Sequence, residues 1–213
     1  MSRTNAALLV LFFAVLVWSA VRPHDYFTWF MEVFPALIGI AIIAATHRRF
    51  PLTTLLLTLL TLHAVILMAG GHYTYAEVPL GFWMKRAFHL ARNDYDRIGH
   101  FAQGFVPAMI ARELFLRRNV VRSRGWLYAI IVLVCLGISA AYELLEWQTA
   151  LFTGERADAF LGTQGDPWDT QEDMATALVG ALAAPLLLGR WHDRQLARFE
   201  SRSAPTAQSA ARP

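Results

Sequence analysis

Three short runs of the sequence concentrate residues able to do chemistry: Asp94, Asp96 and His100; Glu143 and Glu146; and Asp166, Asp169, Glu172 and Asp173. Asp96 and His100 are four residues apart, Glu143 and Glu146 three, and Asp169 and Asp173 four. Each pair therefore shares one face if its segment is helical. Carboxylates and an imidazole at such spacings coordinate a divalent cation or act as general acid and base. Asp96, His100, Glu143, Asp169 and Asp173 are the metal-ligand candidates, and Mg, Mn, Zn and Fe all suit that donor set. Glu143, Glu146 and His100 are the catalytic candidates. A bound metal would polarise a phosphate or activate water while His100 or Glu146 moved the proton. Arg92, Arg97 and Arg156 flank the runs and suit an anionic head group or phosphate. Trp168 joins Arg92 and Arg97 as a substrate-binding candidate. The chain has no Gly-rich phosphate loop, no His-Glu-x-x-His and no Gly-x-Ser-x-Gly.

Each of these residues also has a plainer role. Asp94, Asp96, Asp166, Asp169 and Asp173 sit where helices should begin, and acids there cap free amides and complement the dipole. His100 by itself fits a hydrogen-bonded structural histidine. Glu143 and Glu146 differ, because they lie towards the C-terminal end of an apolar helix, where negative charge opposes the dipole. A carboxylate inside hydrocarbon is costly, and function or an essential ion pair is what retains it. Glu32 either joins these acids or pairs with an interfacial arginine. His63, midway in a span, reads as a hydrogen-bond partner facing the bundle. His72, Tyr73, Tyr75, Trp147 and Trp168 fit an aromatic belt at the membrane interface.

The elements that must position these groups are written in hydropathy. The chain has 213 residues, 56% hydrophobic and 16% charged, where soluble domains carry roughly 25% charged residues. Apolar segments cover Ala6–Val21, Trp29–Thr46, Leu52–Gly70, Gly99–Leu116, Trp126–Phe152 and Met174–Leu188. Most match the thickness of a bilayer core. The expected fold is all-α: a polytopic transmembrane helix bundle of about six spans. A short interfacial helix over Leu80–His89, mixing aromatics with cations, should lie between spans three and four. Residues 1–198 form a single transmembrane domain, and 199–213 are expected to be a disordered cytoplasmic tail. Ala6–Trp18 is read as an uncleaved first helix, because Trp18 spoils the small-residue cleavage pattern before Ala20. The single cysteine, Cys135, excludes a disulfide framework, and the net charge of +3 gives no reason to expect nucleic acid.

Loop charge gives the bundle a direction. Placing both termini in the cytoplasm puts 13 of the 19 Lys and Arg residues on that side with three acids, and leaves thirteen acids outside. The spans then bring Asp96 and His100, Glu143 and Glu146, and Asp169 and Asp173 to one level near the outer face.

The same residues carry a family resemblance. Asn93-Asp94-Tyr95-Asp96-Arg97-Ile98-Gly99-His100-Phe101, Tyr142-Glu143-Leu144-Leu145-Glu146-Trp147 and Gly165-Asp166-Pro167-Trp168-Asp169-Thr170-Gln171, followed by Asp173-Met174, resemble the YjdF-like bacterial inner-membrane proteins. The resemblance covers most of the chain after the first span. It implies an inner-membrane location and a polytopic architecture, and assigns no reaction. A looser similarity is to VanZ-like membrane proteins, with an Asp-Lys-x-x-His-Phe entry, a later Glu-x-x-Gln and an Asp and Asn before the last helix. Arg97 here replaces that Lys and Glu146 that Gln, and the Asn has no counterpart.

Three functions remain open on these residues. The first is an outward-facing carboxylate/His site for a divalent metal, a lipid head group or a lipid-linked substrate, enzymatic or not. The second is a transporter or proton/cation relay through Glu143 and His100. The third is a membrane scaffold locked by buried ion pairs. The lipid bilayer is the expected partner, and the oligomeric state is open.

Overall fold

A computed structural model describes residues 2–153 and 163–203. The regular structure of the described residues is helical: α1 (Arg3–Ala20), α2 (Tyr26–Thr46), α3 (Thr54–Tyr73), a 3-10 turn (Tyr75–Glu77), α4 (Pro79–Phe88), α5 (Tyr95–Arg117), α6 (Arg124–Thr153) and α7 (Asp169–Ser203). Local chemistry sets several starts. Ser2, Asp25 and Thr53 occupy the N-cap positions of α1, α2 and α3, and each accepts a hydrogen bond from a first-turn amide. Pro79 opens α4, where its missing N–H has no helical partner to lose.

Five of these helices, α1, α2, α3, α6 and α7, are long and apolar enough to cross a membrane. The expected fourth span, α5, has the length but is not among the helices apolar enough to cross. Its 23 residues reach roughly 34 Å at 1.5 Å per residue. It sits inside the bundle, with Ala108, Met109 and Glu113 fully buried. Polar residues on a helix at membrane depth belong in that position.

Small residues let α7 approach α5 closely. A Cβ on Gly104 would run into the Ala177 carbonyl, and one on Gly180 into the Phe101 carbonyl. Below this contact Leu55, Leu56, Ala108, Met109, Ile131, Cys135, Ala181 and Ala184 form a buried apolar layer. A second apolar cluster, Phe12, Val33, Ala36, Ala64 and Met68, joins α1, α2 and α3. The outward faces stay apolar, with Val10, Val17, Ile42, Leu133, Leu186 and Leu187 exposed. Such a surface is at rest only against lipid.

Two boundaries move in ways that matter for the site. α5 begins at Tyr95, a turn before the expected Gly99, so Asp96 is helical. α7 begins at Asp169, before the expected Met174, and continues through Ser203, past the expected start of the tail. Residues 204–213 of that tail lie outside the described residues. The expected interfacial helix is α4, with Leu80, Phe82, Trp83 and Phe88 exposed beside Lys85 and Arg86.

Candidate functional site

The starts of α5 and α7 meet the end of α6 at what is called here the acidic end. Two arginines fasten them. Arg92, just before α5, donates to Asp94 (3.2 Å), to the Thr163 carbonyl (2.6 Å) and to Asp169. Arg97, in the first turn of α5, donates to Asp173, to the Asp169 carbonyl (3.2 Å) and to Glu172 (2.6 Å). Burial alone would lower the Arg92 guanidinium, but its hydrogen bond and charge contact with Asp169 hold it above its ordinary value. Asn93 adds a neutral clamp. Its amide donates to the carbonyls of Ala76 (2.9 Å) and Val78 (3.1 Å), while its backbone exchanges two hydrogen bonds with the Gln164 side chain.

Behind the arginines lies a three-residue donor set. His100 Nε2 is 3.4 Å from Asp96 Oδ1 and 3.8 Å from Asp173 Oδ2. Asp96, His100 and Asp173 each offer one ligand atom, all within 4.8 Å of one another, and all three residues are buried. His100 Nδ1 lies 3.1 Å from the Gln103 side-chain oxygen. An amide oxygen only accepts, so Nδ1 donates to it and Nε2 is left facing the two aspartates. A lone pair facing two carboxylates is repulsive unless a proton or a metal ion sits between them.

Three more carboxyls line the same region. Glu143 is 6% exposed, and its Oε1 has no hydrogen-bond partner among the described residues. That oxygen is 3.7 Å from His100 Nδ1, and Thr170 lies beside the carboxylate. Glu146 is buried one turn further along α6. Glu32, on α2, is 3% exposed and lies beside the phenols of Tyr75 and Tyr142. Asp96 and His100 are near it as well, and among the described residues no ion pair joins it to an arginine. Next to Glu143 and Asp169 a cavity of about 550 Å³ opens between α6 and α7.

The sequence-predicted residues divide as follows. Asp96, His100, Glu143, Glu146, Asp169 and Asp173 come together, buried, at one end of the bundle. Arg92 and Arg97 are there too, with their donors engaged by carboxylates and carbonyls, so an anion would have to displace those partners. Trp168 is 63% exposed on the turn before α7. Arg156 lies outside the described residues. His63 differs from its expected role as a hydrogen-bond partner, because its Nε2 is buried without one among the described residues. Tyr75 is no belt residue: it is 5% exposed and wedged against Gly70 and Gly99. His72 stacks on Trp18 with ring centroids 4.5 Å apart.

A second polar cluster, at the opposite and basic end, escapes pattern reading. Glu113 is fully buried and accepts from Thr53 Oγ1 (2.7 Å), the Thr53 amide (3.2 Å), Arg117 (2.9 Å) and His192 Nε2 (2.9 Å). Arg112 donates to His192 Nδ1 at 2.8 Å. An arginine can only donate, so Nδ1 accepts and Nε2 carries the proton given to Glu113. Glu113 and His192 are 79 residues apart and share no helical spacing. The signals available were an acid within a span and a histidine among the arginines that follow the last one.

Comparison with known proteins places this architecture. The family model described as "Predicted membrane protein (DUF2238)" matches residues 4–194. The chain belongs to this family. It is also 52% identical over 196 residues to the "Inner membrane protein YjdF" of Escherichia coli (strain K12), an alignment covering 92% of each chain. The family resemblance read from the three motifs is thereby established, and the chain is an integral membrane protein. No solved structure matches it.

Proposed function

We propose that this protein binds a divalent cation near the outer face of a bacterial inner membrane, with Asp96, His100 and Asp173 as its ligands. One observation carries the reading: α5 and α7 bring three buried donor atoms within 4.8 Å of one another. The turned Nε2 of His100 and the mixed carboxylate/imidazole set suit Mn, Zn or Fe. The basic end, rich in arginine, faces the cytoplasm under the positive-inside rule, with both termini on that side. The location also accords with the similarity to an inner membrane protein of Escherichia coli. In a catalytic version Asp96, His100 and Asp173 would hold the ion, which would supply Lewis-acid polarisation, and Glu143 or Glu146 would move the proton.

The experiment is elemental analysis of protein purified in detergent, stripped with chelator, then incubated with Mn²⁺ or Zn²⁺ and desalted. About one ion per chain is expected, as for a single site with saturated ligands. Asp96→Asn and His100→Ala should abolish it while preserving a monodisperse profile. No stoichiometric ion, or binding unchanged in both variants, would sink the proposal.

The Arg92 and Arg97 ion pairs favour a structural role alongside this one, since they tie α5 to α7. Transport is less well supported. Between the acidic end and Glu113 lies the apolar cluster of Leu55, Leu56, Met109, Ile131 and Cys135, which separates the charged groups of the two ends.

A further inference from the structure

We infer that the cavity between α6 and α7 receives the head group of a lipid bearing a primary ammonium, drawn sideways from the outer leaflet, with the ammonium paired to Glu143. The inference goes beyond the metal site and stands without it.

The cavity's charge selects the ligand. Glu143, Asp166 and Asp169 line it, and no basic side chain does among the described residues. The nearby cations are already engaged: Arg92 with Asp169, and Arg97 with Asp173 and Glu172. An anionic ligand would meet carboxylates first; a cation is attracted.

Hydrogen bonding narrows the choice. Glu143 lines the cavity, and its Oε1, buried 3.7 Å from His100 Nδ1, lacks a hydrogen-bond donor among the described residues. A buried carboxylate oxygen without a donor costs free energy until one arrives. A primary ammonium brings three N–H donors and a positive charge, so one can reach Glu143 and another Asp169. A quaternary ammonium brings charge but no donor.

The walls decide between a lipid and a free amine. Leu144 and Trp147 line the cavity and are 58% and 56% exposed on the membrane side of α6, and Met174 faces them from α7. A soluble amine would fill the acidic part and leave this apolar wall bare. A lipid covers both, with its acyl chains continuing onto Leu144 and Trp147. The phosphate of such a lipid falls at the mouth, beside Thr170 and Gln171 in the first turn of α7, where helix amides lack intrahelical acceptors. A volume of about 550 Å³ is within the range of small-molecule sites.

The test is native mass spectrometry of the full chain in mild detergent, offered equal amounts of phosphatidylethanolamine, phosphatidylcholine and phosphatidylglycerol with identical acyl chains. Phosphatidylethanolamine should be retained roughly tenfold over the other two, the scale of one charge-assisted hydrogen bond. Glu143→Gln should remove that preference, and metal stoichiometry is compared in a variant of Ala140, a lining residue outside the metal site, which separates failure here from failure of the metal site. Ala140→Phe, filling the cavity from its apolar wall, should do the same and serves if Glu143→Gln does not fold. Equal retention of the three lipids would overturn the inference, as would a preference surviving both variants. Displacement of the lipid by soluble ethanolamine at equal concentration would overturn the assignment to a lipid.

Discussion

The two polar clusters of this bundle are built on opposite terms. At the basic end one carboxylate, Glu113, meets a backbone amide, a hydroxyl, an arginine and a histidine, and its lone pairs are used. At the acidic end Glu32, Asp96, Glu143, Glu146, Asp169 and Asp173 are all buried, against two arginines and His100. There Glu143 Oε1 is left without a donor, as is Ser139 Oγ one turn away, among the described residues. A buried polar network that is fully satisfied specifies structure, whereas one short of partners is unstable without something added. The basic end has the features of a fastening, and the acidic end is where the proposed cation would bind.

The sharpest way to break this contrast is to remove Glu113. Glu113→Ala leaves Thr53, Arg117 and His192 without their shared acceptor, and the expected loss is about 3–5 kcal/mol, as for a broken buried pair. Thermal or denaturant unfolding in detergent measures it, and a loss below about 1 kcal/mol would show the cluster is no fastening. Next comes Arg97→Ala, which strips Asp173 and Glu172 of their partner. About 2–4 kcal/mol should be lost by the same measurement, and added Mn²⁺ should restore part of it by binding Asp173. Failure of the ion to raise the melting temperature would weaken the link between lock and site.

Gly104→Leu should cost about 1–3 kcal/mol, because its side chain must part α5 from α7 at the Ala177 carbonyl. Unchanged stability would mean that contact is looser than the helices indicate. The smallest effect belongs to Glu143→Gln, within about 0.5 kcal/mol of the native protein. Its Oε1 gives up no hydrogen bond, and removing one negative charge relieves the crowded acids. If Glu143→Gln melts as early as Glu113→Ala, the contrast between the ends is lost.

Much of the bundle was legible in hydropathy, and the reasons it worked are the reasons it stopped. α3 and the part of α6 before Glu143 are apolar over enough length to cross a membrane, and no soluble packing would explain them. α5 was the faintest span because Gly104, Gln103 and Glu113 serve helix contacts and not lipid. Spacings of three and four residues placed Asp96 with His100 and Glu143 with Glu146, since both are properties of one helix. Nothing local could pair Glu113 with His192, or Arg97 with Asp173, which meet only through packing of α5 on α7. Arg92 and Arg97 show the limit of charge reading: a cation beside acids in sequence can wait for an anion or hold those acids, and the fold engages them with the acids. Glu32 was ambiguous for the same reason, and burial beside Tyr75 and Tyr142 decided it.

The apolar layer of Leu55, Leu56, Met109, Ile131 and Cys135 has an electrical meaning as well. Built of apolar side chains, it is a low-dielectric layer across which a large part of a transmembrane voltage falls. A unit charge crossing the whole membrane exchanges about 2.3 kcal/mol per 100 mV. A cation entering at the acidic end stops before the layer and samples only a small part of that drop. Under the proposed orientation and cation site, occupancy should then follow the composition of the solution outside and stay nearly blind to whether the cell is energised.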